Sequence, residues 1–447
     1  MKRFFKTLQN IFSIEELRTR IFYTIGFLIV FRLGSFIVLP GVDPEQLNQT
    51  SNSFFGMINT FLGGAFNRAS IFALGIMPYI SASIVIQLLS VAVPYFQKMQ
   101  KEGESGRKKI NQITRVLTIV ITIAQASTYI AATIPAEAIL INNTFFLISS
   151  MFILTAGTVF CMWLGERITE KGIGNGISML IMIGIISSFP LAIVQEIGEK
   201  GTSGLLLLVL EFLALFFIVM SVVLLTTAVR RIPVQYARQV VGGSKRQPGK
   251  GQRSYIPLKV NTANVMPIIF AQSLMFLPSL VASAWADQSD TARYIAQTFA
   301  TFTSLEYNIT FAILIILFTF FYTAITINPK QMADDMKRNN AFIPGVKPGD
   351  PTADYISAVI DKITLPGALF LAVVAVLPAF ANAAGVSINF AQFYGGTSLI
   401  IMVGVILDTL QQIESYLLMR HYEGMMKSGK MKGRSSQNVP AISNDIL

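Results

Sequence analysis

Ten apolar runs of about twenty residues dominate this chain, at roughly 21–39, 70–93, 114–134, 145–164, 174–194, 204–228, 265–285, 308–328, 364–382 and 394–418. At about 1.5 Å of rise per residue, each is long enough as a helix to cross the ~30 Å hydrocarbon core of a bilayer. Hydrocarbon offers backbone N–H and C=O groups no partner, so a spanning segment must bond itself as a helix or close into a barrel. The runs are continuous instead of alternating, which excludes the barrel. A chain of 447 residues that is 53% hydrophobic and 13% charged is not a water-soluble globule. The sequence predicts an all-α polytopic membrane protein with ten transmembrane helices and short loops, leaving no room for large extramembrane domains.

A formal charge of +11 suits a nucleic-acid binder, so its placement decides its meaning. Ten crossings put segments 1–20 and 419–447 on one side. That side carries 31 of the 35 basic residues against 14 of the 24 acidic ones, whereas the far side holds only Arg68, Lys200 and Arg293 as cations. By the positive-inside rule both termini are expected in the cytoplasm, and the charge reads as membrane topology. Trp163 and Trp285, near opposite membrane faces, fit that layout. The first run has no small-residue cleavage site and ends in Leu39-Pro40-Gly41, so a retained span is expected and not a signal peptide. The single cysteine, Cys161, lies in an apolar run and His421 is the single histidine. No disulfide framework, metal site or cofactor is expected within this chain.

Residues 54–67, FFGMINTFLGGAFN, are apolar but too short to span, and lie on the outer side ahead of the second crossing. A run of that length is a re-entrant or interfacial segment. Gly56, Gly63 and Gly64 lower its helix stability and leave flat backbone for packing, so it reads either as a movable plug or as a fixed interfacial helix. Ile76 and Ile80 in the second run, and Ile173, Ile177 and Ile181 in the fifth, fall at helical spacing. Stiff β-branched side chains without polar atoms suit a constriction that excludes water and ions, and they equally suit ordinary packing.

Ser81, Ser83 and Gln87 on the second run, Gln125 on the third, and Gln272 and Ser273 on the seventh seek partners on neighbouring helices, either as permanent glue or along a seam that opens. Arg32, Glu211 and Asp408 are ionisable side chains within runs, read as substrate or proton sites or as structural charges. The 229–264 loop carries Arg230, Arg231, Arg238, Lys245, Arg246, Lys250, Arg253 and Lys259 with no acidic residue, and is expected to be a mobile cationic finger. Anionic lipid, RNA phosphate or an acidic protein face would suit it. Gly249-Lys250 is not a phosphate loop, because Ser244 and Gly251 occupy the motif's first glycine and Ser/Thr positions. Gly172-Ile-Gly-Asn-Gly176 follows no strand and reads as a tight turn between membrane helices. There is no nucleophile, base and metal constellation, so catalysis is not expected.

Longer strings make the chain familiar. SIFALGIMPYISASI (70–84) and MWLGERITEKGIGNGIS (162–178) closely resemble the SecY family of bacterial protein-translocation pore subunits, as do FRLGSF (31–36), KEGESGR (101–107), LKVN (258–261), VMPIIF (265–270), AFIPG (341–345) and GGTSLII (395–401). The resemblance covers nearly the whole chain. It implies two pseudo-symmetric five-helix halves, 21–194 and 204–418, joined by the outer loop 195–203, with cytoplasmic loops at about 229–264 and 329–363. It implies a channel that passes unfolded secretory polypeptides across the cytoplasmic (inner) membrane and releases membrane segments sideways into lipid. On matching positions it implies a pore ring of Ile76, Ile80, Ile177, Ile181, Ile269 and Ile401. It makes residues 55–68 the plug, with Phe55, Met57, Ile58, Phe61, Leu62, Gly63 and Gly64, and places Gln87, Gln125 and Ser273 at a lateral gate.

The resemblance also implies partners: the small membrane subunits SecE and SecG, the SecA motor ATPase, the ribosome, secretory and membrane preproteins, and membrane lipid. Docking of motor or ribosome would fall to Arg238, Lys245, Arg246, Lys250, Arg253 and Lys347. Lys347 stands where the family has arginine, keeping the charge without the bidentate fork, and the loop tip 238–256 departs from the family form. From the residues alone, ten spans also fit a secondary transporter or a membrane scaffold, and the transporter would want a midplane cluster of charges.

Overall fold

The computed structural model describes residues 12, 14–47, 59, 62–201, 204–236, 253–263, 265–272, 274–275, 290–301 and 303–427. Among the described residues, each predicted run contains helix. The first span is Glu15–Gly34, with Glu15 and Glu16 in its first turn, where the exposed N–H groups favour carboxylates. The second is Met77–Ala92, followed at a 101° bend by Pro94–Lys101. Pro94 causes the bend by forcing Val93 into an extended conformation, φ −111° and ψ 121°. The third, fourth, fifth and sixth are Glu104–Thr133, Asn143–Lys171, Gly176–Lys200 and Leu205–Thr227. The seventh is helical over 266–272. The eighth, ninth and tenth are Leu305–Thr326, Asp350–Ala383 and Gly396–Lys427. Among the described residues, seven helices are long and apolar enough to cross a membrane, or eight if the bent pair counts as one. The first span, which carries Glu15, Glu16, Arg18, Arg20 and Arg32, and the partly described seventh complete the ten.

The sixth span shows what solvent these helices are built for. It buries Glu211 and Val222 while exposing Leu205, Leu206, Leu210, Leu213 and Phe216. In water such a face would be a severe liability, and in lipid it is the expected exterior. Hydroxyls inside the bundle satisfy themselves locally: Thr114, Thr118 and Thr122 on the third span each donate to the carbonyl four residues earlier, at 2.9, 2.7 and 2.6 Å.

The fold is all-α in class, and three local details add to it or adjust it. First, the base of the 229–264 loop is a β-ribbon. Strand β1 (Val229–Tyr236) pairs antiparallel with β2 (Arg253–Lys259), Ile232 opposite Ile256, and with β3 (Ala341–Phe342) on its other edge. Alternation explains it: Ile232 and Val234 turn inward onto Leu258, Met336, Ile343, Ile356 and Ile360, while Arg231 and Pro233 stay exposed. The two loops expected on one side thus fold together, and the finger's base is ordered. Second, the ninth helix starts at Asp350, well before the apolar run, with Asp350 and Pro351 in its first turn. Third, Ile173 is not on the fifth helix, which begins at Gly176 after the Asn175 cap.

The bundle's centre lies along the fifth span. Met179, Ile185 and Ala192 pack with Val386, Phe390, Tyr394, Ile401 and Val405 from the other half of the sequence.

Candidate functional site

The isoleucines meet at one face of the fifth span. Ile76, Ile80 and Ile181 line an apolar cavity of about 20 Å³ with Phe31, Leu62, Met77 and Leu180, little more than the space of one water probe. Ile76 caps the second helix instead of lying within it, but the Ile80 N–H donates to its carbonyl at 3.1 Å, so the four-residue spacing survives. Ile177 packs in the same cluster as Ile76 and Ile80, while Ile181 joins Ile269 and Ile401 in the neighbouring one. Ile76 and Ile401 are buried, and Ile80, Ile177, Ile181 and Ile269 are half-buried. The six residues therefore come from four spans and converge in two adjoining apolar groups, with Ile181 shared between the cavity and the second group.

The re-entrant segment enters the bundle. Of its expected residues, Phe55, Met57, Ile58 and Phe61 lie outside the described residues, while Leu62, Gly63 and Gly64 begin a series of turns. Leu62, Ala65, Phe66 and Ala69 are buried against Ala126, Tyr129 and Ile130 of the third span and Phe146 and Leu154 of the fourth. Its position is internal, unlike that of a helix resting on the membrane surface. The far end is anchored: the Tyr129 hydroxyl donates to the Phe66 carbonyl at 2.6 Å, the Leu39 N–H to the Ala69 carbonyl at 2.8 Å, and the Ile71 N–H to the Ile37 carbonyl at 2.9 Å. Tyr129 was not singled out in the sequence. A tyrosine in an apolar helix, needing a partner for its hydroxyl, was the available signal.

The polar candidates are distributed unevenly. Gln87 is half-buried and donates to Ser83 of its own helix at 3.4 Å, Gln125 is half-buried on the third span, and Ser273 lies outside the described residues. Glu211 is no isolated charge. Lys200, from the loop expected on the outer side, pairs with it and with Glu196 at 2.7 Å. Glu196 in turn accepts from the Ser387 N–H at 3.0 Å and from its hydroxyl. The two-glycine turn at Gly201 and Gly204 brings Lys200 and Glu211 together. Glu211 sits about 9 Å along the sixth helix from Leu205, so this cluster belongs to one end of the bundle and not its midplane. Asp408 is exposed.

At the opposite end of the fifth span, the GIGNG turn is held from both sides. Thr24 Oγ1 accepts the Ile173 N–H at 3.0 Å, Arg20 donates to the Gly172 carbonyl at 3.3 Å, and Gln412 Oε1 accepts the Gly174 N–H at 2.8 Å. Asn175 caps the helix by accepting from the Ile177 N–H at 3.1 Å. Of the docking candidates, Arg238, Lys245, Arg246 and Lys250 lie outside the described residues. The Arg253 backbone pairs with Gln235 in the ribbon, and Lys347 is exposed on the turn before the ninth helix, its carbonyl accepting from Thr352 at 2.8 Å.

Comparison with known proteins places these features in a context. The family model for SecY matches residues 70–410. The protein translocase subunit SecY of Halalkalibacterium halodurans is 43% identical over 444 residues, covering 95% of this chain and 100% of that one. Its counterpart in Chlamydia muridarum is 39% identical over 461 residues, covering 96% and 99%. Among solved structures, a protein-conducting channel superposes with a TM-score of 0.62 at 17% identity, over 89% of this chain and 92% of that one. A SecY whose plug domain stabilises the closed channel and maintains a membrane seal gives 0.58 at 17% identity, with the same coverage. Sec61 in the canine ribosome–channel complex from the endoplasmic reticulum gives 0.59 at 16%, again over 89% and 92%. At these identities the structural likenesses speak to fold alone.

Proposed function

The chain belongs to the SecY family, and on that premise we propose that it is the protein-conducting subunit of a membrane translocation channel, passing unfolded polypeptides across the membrane and releasing apolar segments sideways into lipid. The observation that carries this reading is the convergence of Ile76, Ile80 and Ile181 with Leu62 of the re-entrant segment on one minimal apolar cavity. A ring of branched hydrocarbon side chains dewets when empty and closes around a passing chain, so ions are held back in either state. In this reading Ile76, Ile80, Ile177, Ile181, Ile269 and Ile401 form the ring and 55–68 is the plug. Gln87, Gln125 and Ser273 mark the lateral gate between the second and third spans and the seventh. The halves 21–194 and 204–418 part about the 195–203 connection.

In this reading the chain is a passive channel subunit, and the driving energy is supplied by a partner: a motor ATPase of the SecA type or the translating ribosome. Either would dock on the side carrying the β-ribbon, Arg238, Lys245, Arg246, Lys250, Arg253 and Lys347. SecE-like and SecG-like small subunits complete the assembly in the bacterial cytoplasmic membrane, with both termini cytoplasmic. The test is site-specific crosslinking. With Cys161 replaced and Ile80→Cys introduced, an arrested secretory chain crosslinks at position 80 only when it carries a signal sequence and the motor has ATP. Absence of that crosslink, in membranes that translocate the same cargo through another pore subunit, would overturn the reading.

A further inference from the structure

We propose that Arg32 is the latch that holds the plug in its sealing position, a positioning residue for gating that acts through the Gly63 carbonyl. The inference rests on the plug reading above. Arg32 lies in the last turn of the first span, directly after Phe31, which is buried and lines the cavity beside Leu62. A guanidinium within a membrane helix is costly unless it has a partner. Its Nη1 donates to the Gly63 carbonyl at 2.8 Å, and the group lies over the Phe36 ring at 4.6 Å. Arg68 covers the same ring at 4.5 Å and has a buried Nη1 without a hydrogen-bond partner. The turn at Gly63 and Gly64 is thus seated among cations.

Gly63 makes the bond possible. Its φ is +63°, and a Cβ there would run into Ser187 Oγ and fall 2.7 Å from Arg32 Nη1. Only a residue without a side chain lets this carbonyl approach the guanidinium. Among the described residues, Arg32 is the one side chain outside the segment seen to hydrogen-bond the 62–65 turn. The anchors made by Tyr129, Leu39 and Ile71 all lie further on, at 66–71. The described part of the segment, from residue 62 on, is therefore fixed at 66–71 and latched at 62–65, with the latched part against the ring. A charged donor on a neutral carbonyl is strong in a dry site, and water replaces it readily once the carbonyl swings out. Arg32 keeps Phe36 as a second partner, so release strands neither group.

Ion efflux from proteoliposomes containing the full chain, without cargo, reads the latch. Arg32→Leu is expected to raise resting efflux roughly tenfold or more by shifting the plug toward release, and Arg32→Lys, which keeps a charged donor, to stay near wild type. Gly63→Ala breaks the same bond from the plug side, and is expected to leak even if Arg32→Leu fails to reach the membrane. In a chain lacking residues 57–66, which itself leaks, Arg32→Leu should add nothing. If Arg32→Leu and Gly63→Ala stay sealed while the deletion leaks, the latch is wrong and the plug stands. Leak from Arg32→Leu that adds in full to that of the deletion also overturns the latch, because Arg32 would then act on the bundle itself. A sealed deletion variant overturns the plug reading and the latch with it.

Discussion

The fifth span is bonded to the C-terminal half at both of its ends, whereas Gln87 on the second span and three threonines on the third are satisfied on their own helices. At one end Gln412 holds the Gly174 N–H at 2.8 Å, and Thr409 reaches Met179 at 3.9 Å. At the other, Ser387 is bound to Glu196, Asn389 donates to Gln195 at 2.7 Å, and Lys200 bridges Glu196 and Glu211. On the second and third spans Gln87 turns to Ser83, and Thr114, Thr118 and Thr122 turn to their own carbonyls. The difference has a mechanical meaning. Pulling the fifth span from its neighbours strands buried polar groups, which is expensive where water is scarce. Parting a face whose polar groups are already satisfied strands nothing. The fifth-span seam suits a pivot, and the second and third spans suit the side that opens.

The sharpest way to break this comparison is at Lys200. Its side chain is 14% exposed between carboxylates that are 1% and 5% exposed. Lys200→Met leaves two buried carboxylates facing each other, and is expected to cost about 3–5 kcal/mol, seen as lost thermal stability in detergent. A loss below about 1 kcal/mol would mean that the cluster does not hold the pivot. Next is the ring. Ile181→Asp is expected to cost about 2–3 kcal/mol and to raise resting ion conductance, because the cavity would then hold water. An unchanged conductance in a well-inserted variant would remove Ile181 from the barrier. Third, Gly174→Ala places a Cβ 3.0 Å from Thr409 Oγ1 at a φ of +81°. About 1–2 kcal/mol of destabilisation is expected in the same thermal assay, and a neutral result would show that the turn yields without disturbing the pivot.

How much of this was legible in the sequence depends on which physical signal each element carries. The spans were readable because lipid demands long apolar helices. The first turns of the ninth helix, 350–363, and the β-ribbon fall in segments that apolarity alone marks as loop, and they answer to different rules. Asp350-Pro351 after Gly349 is a helix start by capping chemistry, and Ile232 and Val234 alternate with exposed residues, but the prolines at 233 and 257 and the surrounding cations hid the strands. In the site, spacing picked out Ile76, Ile80, Ile177 and Ile181. Ile269 and Ile401 came only from the family resemblance, since one residue on a helix has no period. The same spacing also picked out Ile173, which the helix start at Gly176 leaves in a turn. Glu211 and Lys200 were read as separate charges on either side of a boundary, and no one-dimensional pattern joins residues that meet across a glycine turn.

The smallest expected effect lies on the opening side, and it discriminates because it is small. Gln87 is half-buried, with its amide donating to Ser83 of the same helix at a long 3.4 Å. Gln87→Leu removes that weak bond and leaves Ser83 able to turn to its own helix backbone, as Ser90 does to Ile86 at 2.8 Å. Stability should change by no more than about 0.5 kcal/mol. Gating should change more, because a seam that opens must wet its polar groups or pass them to cargo, and leucine can do neither. The expected outcome is a nearly unaltered melting temperature with a shifted threshold for the hydrophobicity of a segment that enters lipid, measured by graded membrane insertion of model helices. If Gln87→Leu destabilises as strongly as Lys200→Met, Gln87 is permanent glue, the two seams are alike, and the pivot must be sought elsewhere.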